Sequence, residues 1–447
     1  MYVLLAGLVI LSCAQDSIFH NISLEEAPRN ALIQGSPQNA VVAHDRIYMW
    51  THRGSSIWAF GNHDGGWRWR GMPSPGGPVG GLAAVQVGTE EHLFALVFSR
   101  GSPPRSSQIM RLDSVNSGER WVPVFDTAGD PGTAGFFLSR LFGAGGKLFA
   151  GAQERANLDH YVILAFDIPD SEDRLTGAIV KSGGRDILLR GVAERSGHIY
   201  LATAGSHAAG SQGEVYRFPA ATPADGIDAY LSALPYAFFP GLVTTGIINT
   251  GEGGIGGDIV VVGNTVNHGV ANILRAEGVQ PFPLSGGNFF SGGLNVWRGY
   301  DSGTNDWRPR LLLLGVRVRG VSNHIGYREI YLDPDGNVAA GSGLRVPGNH
   351  PDDSVSSVQL NARYRASIGT RAVEFIFQAP NLGNAFFPDM LVRDENGVVV
   401  EDSYGNPLIR DWQPPIFAST SRDGLWVYNF RTDRWNAEDN SINWLNP

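Results

Sequence analysis

Ile47-Tyr48-Met49-Trp50, Ile57-Trp58-Ala59-Phe60 and Trp67-Arg68-Trp69 follow one another near the start of the chain, separated by short polar loops. Near its end the same order returns as Ile416-Phe417-Ala418, Leu425-Trp426-Val427-Tyr428 and Trp435. Phe60 to Trp67 and Tyr428 to Trp435 have the same spacing. Each run is short, rich in β-branched and aromatic residues, and bounded by turn formers, which is the signature of a strand.

Related pairs fill the interval. Leu93 to Phe98 precedes Ile109 to Leu112 and Trp121; Leu148-Phe149-Ala150 precedes Val162 to Phe166; Ile199-Tyr200-Leu201 precedes Val215 to Phe218. Ile259 to Val262 precedes Asn272-Ile273-Leu274, and Leu311 to Leu314 precedes Glu329 to Leu332. A further apolar run stands before most pairs: Ala40 to Ala43, Leu82 to Val87, Phe136 to Leu141, Ile187 to Val192, Val243 to Ile248 and Leu294 to Trp297. Each unit thus holds three strands, with a fourth plausible. The first strands of the pairs recur roughly every 45 to 60 residues, a blade-sized period. Only Asp225 to Leu234 offers a short helical pattern. One small sheet cannot bury both its faces; sheets stacked around an axis cover each other, and closing the ring removes the free ends. The expected fold is all-β, a β-propeller over 36–440, with seven blades and eight as the alternative. The uncertainty in number lies at about 340–410, where Val358 to Ala366, Ala372 to Phe377 and Val398-Val399-Val400 form one irregular blade or an insertion.

The last unit, Asp423-Gly424-Leu425-Trp426-Val427-Tyr428 through Trp435, resembles a kelch repeat, with Tyr428 and Trp435 at the family's two aromatic positions; Phe60 and Trp67 match more loosely. The resemblance implies aromatics packed between neighbouring blades, and a domain that in most members binds proteins and in a few is an enzyme.

The 447 residues include 58 Gly and 26 Pro, scattered as punctuation between apolar runs. Charged residues are only 17%, which argues against disorder. The net charge of −9 and the lack of a basic run argue against nucleic acid as a partner. Tyr2 to Leu11 is apolar and too short to span a bilayer, but it suits a signal-peptide core. It ends at Leu11-Ser12-Cys13, the chain's single cysteine, and resembles a bacterial lipobox. That resemblance implies a signal peptide at 1–12, a lipid on Cys13, a tether over 13–35, and a membrane-anchored lipoprotein of the bacterial cell envelope, facing the periplasm or the surface. With one cysteine no internal disulfide forms, so stability must come from the core.

Several motifs have plainer readings. Gly251-Glu252-Gly253-Gly254-Ile255-Gly256 spells a dinucleotide fingerprint but precedes Ile259-Val260-Val261-Val262, a strand and not the helix such a site needs. Asp333-Pro334-Asp335-Gly336-Asn337 and Asp394-Glu395-Asn396-Gly397 alternate oxygen ligands as calcium loops do, yet lack the distal Glu and read as hairpin turns. Ser421-Arg422-Asp423-Gly424-Leu425-Trp426 resembles the Asp-box of sialidase-like propellers, one residue short. There is no metalloprotease helix and no nucleophile elbow. No motif calls for a cofactor or a resident metal.

The remaining signal is positional. Connections from the second to the third strand of each unit share one rim, and they carry His52, Arg53, Arg100, Arg105, Arg155, His160, His207, His268, Arg319 and His324. Arginine and histidine suit a carboxylate, phosphate or sugar acid, and loops on a rigid scaffold commonly host recognition residues. The expected role is therefore binding or scaffolding, with an envelope protein, peptide or glycan as partner. The alternative is a propeller enzyme acting on glycans or lactone/ester substrates. It would need carboxylates or metal ligands at the axis, whereas the inner runs are apolar or carry Arg140, Arg190 and Arg298.

Overall fold

The computed structural model describes residues 31–440, except for 338–372, most of 379–415 and the short stretches 36, 52–55, 64–65, 100–105, 114–118, 170–173, 181–185, 205–211, 252–256, 266–268, 276–277, 283–287, 290–293, 302–305, 319–324, 334–336, 421–423 and 430–433. The signal, Cys13 and most of the tether fall outside the described residues.

Within them the chain is a succession of antiparallel sheets, each built from consecutive strands. The first joins β1 (Pro37–Ala43), β2 (Arg46–Thr51), β3 (Ile57–His63) and β4 (Gly66–Gly71). The second joins β5 (Val79–Val87), β6 (Glu90–Phe98), β7 (Ser107–Asp113) and β8 (Arg120–Asp126). The third joins β9 (Phe136–Ala144), β10 (Lys147–Glu154), β11 (Tyr161–Asp167) and β12 (Thr176–Val180). The fourth joins β13 (Leu188–Arg195), β14 (His198–Ala204), β15 (Gln212–Pro219) and β16 (Ala237–Pro240). A 3-10 turn (Ala224–Gly226) and one helical turn, α1 (Ile227–Leu231), precede β16, where the short helical pattern was expected. The fifth joins β17 (Val243–Asn249), β18 (Ile259–Asn264), β19 (Gly269–Arg275) and β20 (Gly278–Phe282).

In the sixth, β21 (Asn288–Phe289) and β22 (Leu294–Asp301) both pair with β23 (Asp306–Val318), and β24 (Ile325–Tyr331) also pairs with β23. Successive registers along one side of β23 make β21 and β22 a single interrupted inner strand, so this sheet shows three rows. The last joins β25 (Val373–Gln378), β26 (Ile416–Thr420), β27 (Leu425–Asn429) and β28 (Arg434–Ala437). Seven sheets are thus present among the described residues, and β25 falls inside the 340–410 stretch that the sequence left open.

The sheets form a ring. Their first strands touch in chain order, β1 on β5, β5 on β9, β9 on β13, β13 on β17, β17 on β22, β22 on β25, and β25 back on β1. The apolar cores lie between neighbouring sheets. Leu82, Leu93, Tyr48 and Ile57 form one between the first and second; Phe94, Leu96, Leu138 and Leu164 form the next. Leu189, Leu201, Phe149 and Ile163 join the third and fourth, and Val215, Ile247, Val261 and Tyr200 the fourth and fifth. This is the face-to-face burial that radial stacking requires, and the chain is a β-propeller.

The ends are tied by backbone as well as by packing. Leu32 donates its N–H to Glu438 O (2.7 Å), while Leu425 donates to Ile33 O (3.0 Å) and Gly424 to Gly35 O (3.2 Å). Asn440 then bridges to the first sheet: its Oδ1 accepts Trp69 N–H at 2.8 Å, and its Nδ2 donates to Trp69 O at 2.9 Å. Phe417 of β26 packs on Phe60 and Trp69 with ring centroids 5.4 and 5.3 Å apart. The aromatic opposite Phe60 is Trp69; Trp67 pairs with Asn62. The inter-sheet aromatic is therefore two residues beyond the Trp that sequence spacing selects, because the β3–β4 hairpin closes at His63 and Gly66.

In the first four sheets the first and second strands are joined by two-residue turns. His44-Asp45, Gly145-Gly146 and Ser196-Gly197 all take positive φ at both positions, the type I′ geometry that matches strand twist. The next sheet caps two of them: Glu91 accepts His44 N–H, and Glu194 Oε2 accepts Gly145 N–H at 2.7 Å.

Candidate functional site

The rim opposite those turns follows from register. The start of each inner strand faces the end of the second strand: Pro37 opposite Thr51, Val79 opposite Val97, Phe136 opposite Glu154, Leu188 opposite Ala204 and Val243 opposite Asn264. Entries into inner strands and connections from second to third strands therefore leave the sheets on the same side. Of the loop residues singled out from sequence, Arg155 and His160 are described; His52, Arg53, Arg100, Arg105, His207, His268, Arg319 and His324 lie outside the described residues.

Arg155 and His160 bracket the β10–β11 connection. Arg155 donates its backbone N–H to Gly135 O (2.8 Å), and its Nη2 reaches Phe136 O at 3.3 Å, so the base of an exposed side chain is fixed to the entry of β9. His160 Nδ1 lies 2.8 Å from Asp186 Oδ1. Asp186 sits on the connection entering the next sheet and also accepts Tyr161 N–H at 3.3 Å. Ile187 donates to Tyr161 O at 3.1 Å, and Gln153 Nε2 donates to Tyr161 Oη at 3.2 Å. The third sheet's loop and the fourth sheet's entry are thereby welded into one polar surface. A histidine whose Nδ1 is held by a carboxylate has its ring orientation set and Nε2 turned away from that bond.

Below this surface lies a feature repeated around the ring. The inner strands β1, β5, β9, β13, β17 and β25 each carry one extra residue against the second strand, near the rim end: Asn39, Gly80, Ser139, Arg190, Thr245 and Glu374. Bulges bend a strand and re-aim its side chains. The following residues are Ala40, Gly81, Arg140, Gly191, Gly246 and Phe375. At Gly81 a Cβ would come 3.4 Å from Leu141 Cβ on the next inner strand, and at Gly191 2.9 Å from Ile247 Cγ2. At Gly191 the adjoining sheet leaves no room for a Cβ without a shift, whereas the third sheet places an arginine at the equivalent position.

Arg140 and Arg190 thus stand on adjacent inner strands, at and beside the bulges. A Cβ placed on Gly151 would lie 3.5 Å from Leu189 Cβ and 3.9 Å from Arg140 Cβ, which locates Arg140 against the strand that carries Arg190. Burial pushes the Arg140 guanidinium below its usual range. Burial first, then the Arg140 charge, pushes Arg190 down to about 10, with Tyr161 opposing. Arg190 Nε is buried without a hydrogen-bond partner. Among the described residues no carboxylate pairs with either side chain.

Other sequence motifs resolve as turns or ring closure. The strand β18 follows the Gly251 loop, and Gly251 N–H is held by Asn249 Oδ1 at 3.0 Å. Asp333 Oδ1 accepts Asn337 N–H at 2.8 Å, and Asp394 Oδ1 accepts the N–H groups of Asn396 and Val398 at 2.9 and 2.8 Å. These carboxylates cap their own turns. Gly424 takes φ +81° and has Ile33 O where a Cβ would be, so it serves the ring junction. Among the described residues no group of three or more His, Cys, Asp or Glu is placed to hold a metal.

No family model matches the chain, and no curated protein matches its sequence. Solved structures do resemble it. An ancestral GH74 enzyme is 12% identical over 92% of this chain, with TM-score 0.47, and the match spans 47% of that enzyme. YCF48 bound to D1 peptide is 8% identical over 92% of this chain and 95% of its own, with TM-score 0.41. The β-propeller domain of Myceliophthora thermophila Cps50 (Swd1) is 10% identical over 79% of this chain and 93% of its own, with TM-score 0.42.

Proposed function

We propose that this propeller is a binding module of the bacterial cell envelope, exported, anchored through a lipid on Cys13, and presenting its loop rim to a protein, peptide or glycan. The observation that carries the reading is the Arg155–His160–Asp186–Tyr161 surface, where a loop of one sheet and the entry of the next are joined by hydrogen bonds and offer cationic and polar groups outward. Rigid loops with charge-assisted donors recognise acidic or polar partners well, and fold alone leaves function open. The test is a pull-down from envelope extract with the unmodified chain and with Arg155→Ala/His160→Ala. Loss of specific partners is expected; an unchanged set removes the rim from the argument. Labelling with a fatty-acid analogue tests the anchor: label on the unmodified protein and none on Cys13→Ser is expected, and no label on either ends the lipoprotein reading.

A further inference from the structure

We propose that Arg140 and Arg190 are the two arms of one anion site, which takes a doubly charged oxyanion, the chemistry shared by a phosphate monoester and a dicarboxylate. The proposal rests on the rim reading and names the chemical class that one part of that rim would accept.

Three observations support it. First, the two arginines are brought together by the fold and not by sequence: the bulge makes Arg190 the extra residue of β13, and Arg140 fills a position held by Gly on β5, β13 and β17. Second, three other cations with reduced exposure have carboxylate partners. Arg46 meets Glu119, Lys147 Nζ lies 2.5 Å from Asp167, and Arg275 lies 2.9 Å from Asp258. Arg140 and Arg190 have no such carboxylate among the described residues, and the nearby Asp186 is engaged by His160 and the Tyr161 N–H. Third, Arg190 Nε is a donor buried without a partner. Two like charges partly withdrawn from water repel each other and carry a desolvation cost, which an anion between them would offset. The planar guanidinium fork matches oxyanions with two or more oxygens, and two forks match two charges. Tyr161, which interacts electrostatically with Arg190 and lies beside the β10–β11 loop, marks the approach from the rim.

The test is calorimetric titration of the full chain with inorganic phosphate, malonate and acetate. Phosphate or malonate should bind, and acetate should bind more weakly. Arg140→Gln and Arg190→Gln should each weaken the dianion about tenfold or more, the scale of a lost charge-assisted hydrogen bond. Arg120→Gln, whose exposed side chain pairs with Asp113, should leave binding unchanged. Phosphate against malonate decides the source of the charge, and binding of either supports the site. Thermal unfolding guards against misfolding: the dianion should raise the midpoint of the wild type and much less that of either Gln variant, whose ligand-free midpoints show that they fold. Absence of binding by both dianions at millimolar concentration, or Gln variants that bind like the wild type, overturns the proposal. A rim-dependent pull-down without dianion binding removes this site alone; dianion binding with a rim-independent pull-down removes the wider reading alone.

Discussion

Glu438 should make the ring junction sensitive to pH. It follows β28 in the segment that joins the last sheet to the N-terminal strand, and it is 1% exposed. Its backbone is committed on both sides, donating to Leu425 O and accepting from Leu32. One carboxyl oxygen accepts Asn440 N–H at 2.8 Å, and the other is buried with no partner. Burial, aided by Asp439 and opposed by the Asn440 N–H, pushes the carboxyl from its ordinary 4.5 up to about 7. A raised folded value means that the native state keeps a proton which the unfolded chain has already released. The contribution to stability is therefore fully present below pH 4.5 and is lost as pH rises towards 7. At about 1.4 kcal/mol per pH unit, that interval amounts to on the order of 3 kcal/mol. Glu438→Gln removes the titration while keeping shape and polarity. Unfolding of both proteins should be followed by urea or heat from about pH 4 to 8. The difference in stability, variant minus wild type, should grow by that amount across the interval and then level off. Comparing this change across pH, and not the absolute stabilities, cancels the fixed cost of burying an amide. Parallel pH profiles for the two proteins would refute the reasoning.

Phe417→Ala should cost about 3–5 kcal/mol, as expected for a fully buried aromatic. The ring packs on Phe60, Trp69 and Phe377, so its loss loosens the contact between first and last sheets; thermal unfolding reads it, and a midpoint like that of the wild type would contradict it. Gly143→Ala would place a Cβ 2.0 Å from Ala84 O, a backbone atom of the preceding sheet that cannot swing aside. The expected outcome is destabilisation of about 1–3 kcal/mol or more, again by thermal unfolding, with no change in midpoint as the contrary result. Arg217→Ala removes a guanidinium 5.8 Å from the Tyr200 ring centroid and 5.3 Å from that of Tyr236. Tyr200 is buried but Arg217 and Tyr236 are exposed, so the loss should be only about 1 kcal/mol, measurable by urea unfolding.

Much of the strand order is written in the chain. Leu93 to Phe98, Ile199-Tyr200-Leu201 and Ile259 to Val262 are apolar because these second strands are covered on both faces by neighbouring sheets, and continuous apolar runs bounded by Gly and polar turns are readable without an alignment. The last inner strand was less readable. Val373–Gln378 is separated from its partner Ile416–Thr420 by residues 379–415, and nothing local ties two runs that far apart. Trp67 and Trp69 show a second limit. Both are two-ringed aromatics in one strand, and the difference of two residues depends on where the hairpin closes.

The candidate site was half legible for a related reason. Strand order alone puts Arg155 and His160 on one rim, because antiparallel strands alternate ends. Their partners Asp186 and Tyr161 come from the next sheet's entry and from the following strand, a meeting set by blade-to-blade packing that leaves no spacing rule in the sequence. Arg140 and Arg190 are visible as arginines in apolar runs, but they become a pair only through the bulges. The bulged residues Asn39, Gly80, Ser139, Arg190, Thr245 and Glu374 share no chemistry. In four of the six sheets a small residue follows them, as Ala40, Gly81, Gly191 and Gly246, while the third and last sheets place Arg140 and Phe375 there; at Gly191 a Cβ would come 2.9 Å from Ile247 Cγ2 on the next inner strand. Of the two large residues at that place, Arg140 is the charged one, and a charge there adds nothing to apolar packing between sheets.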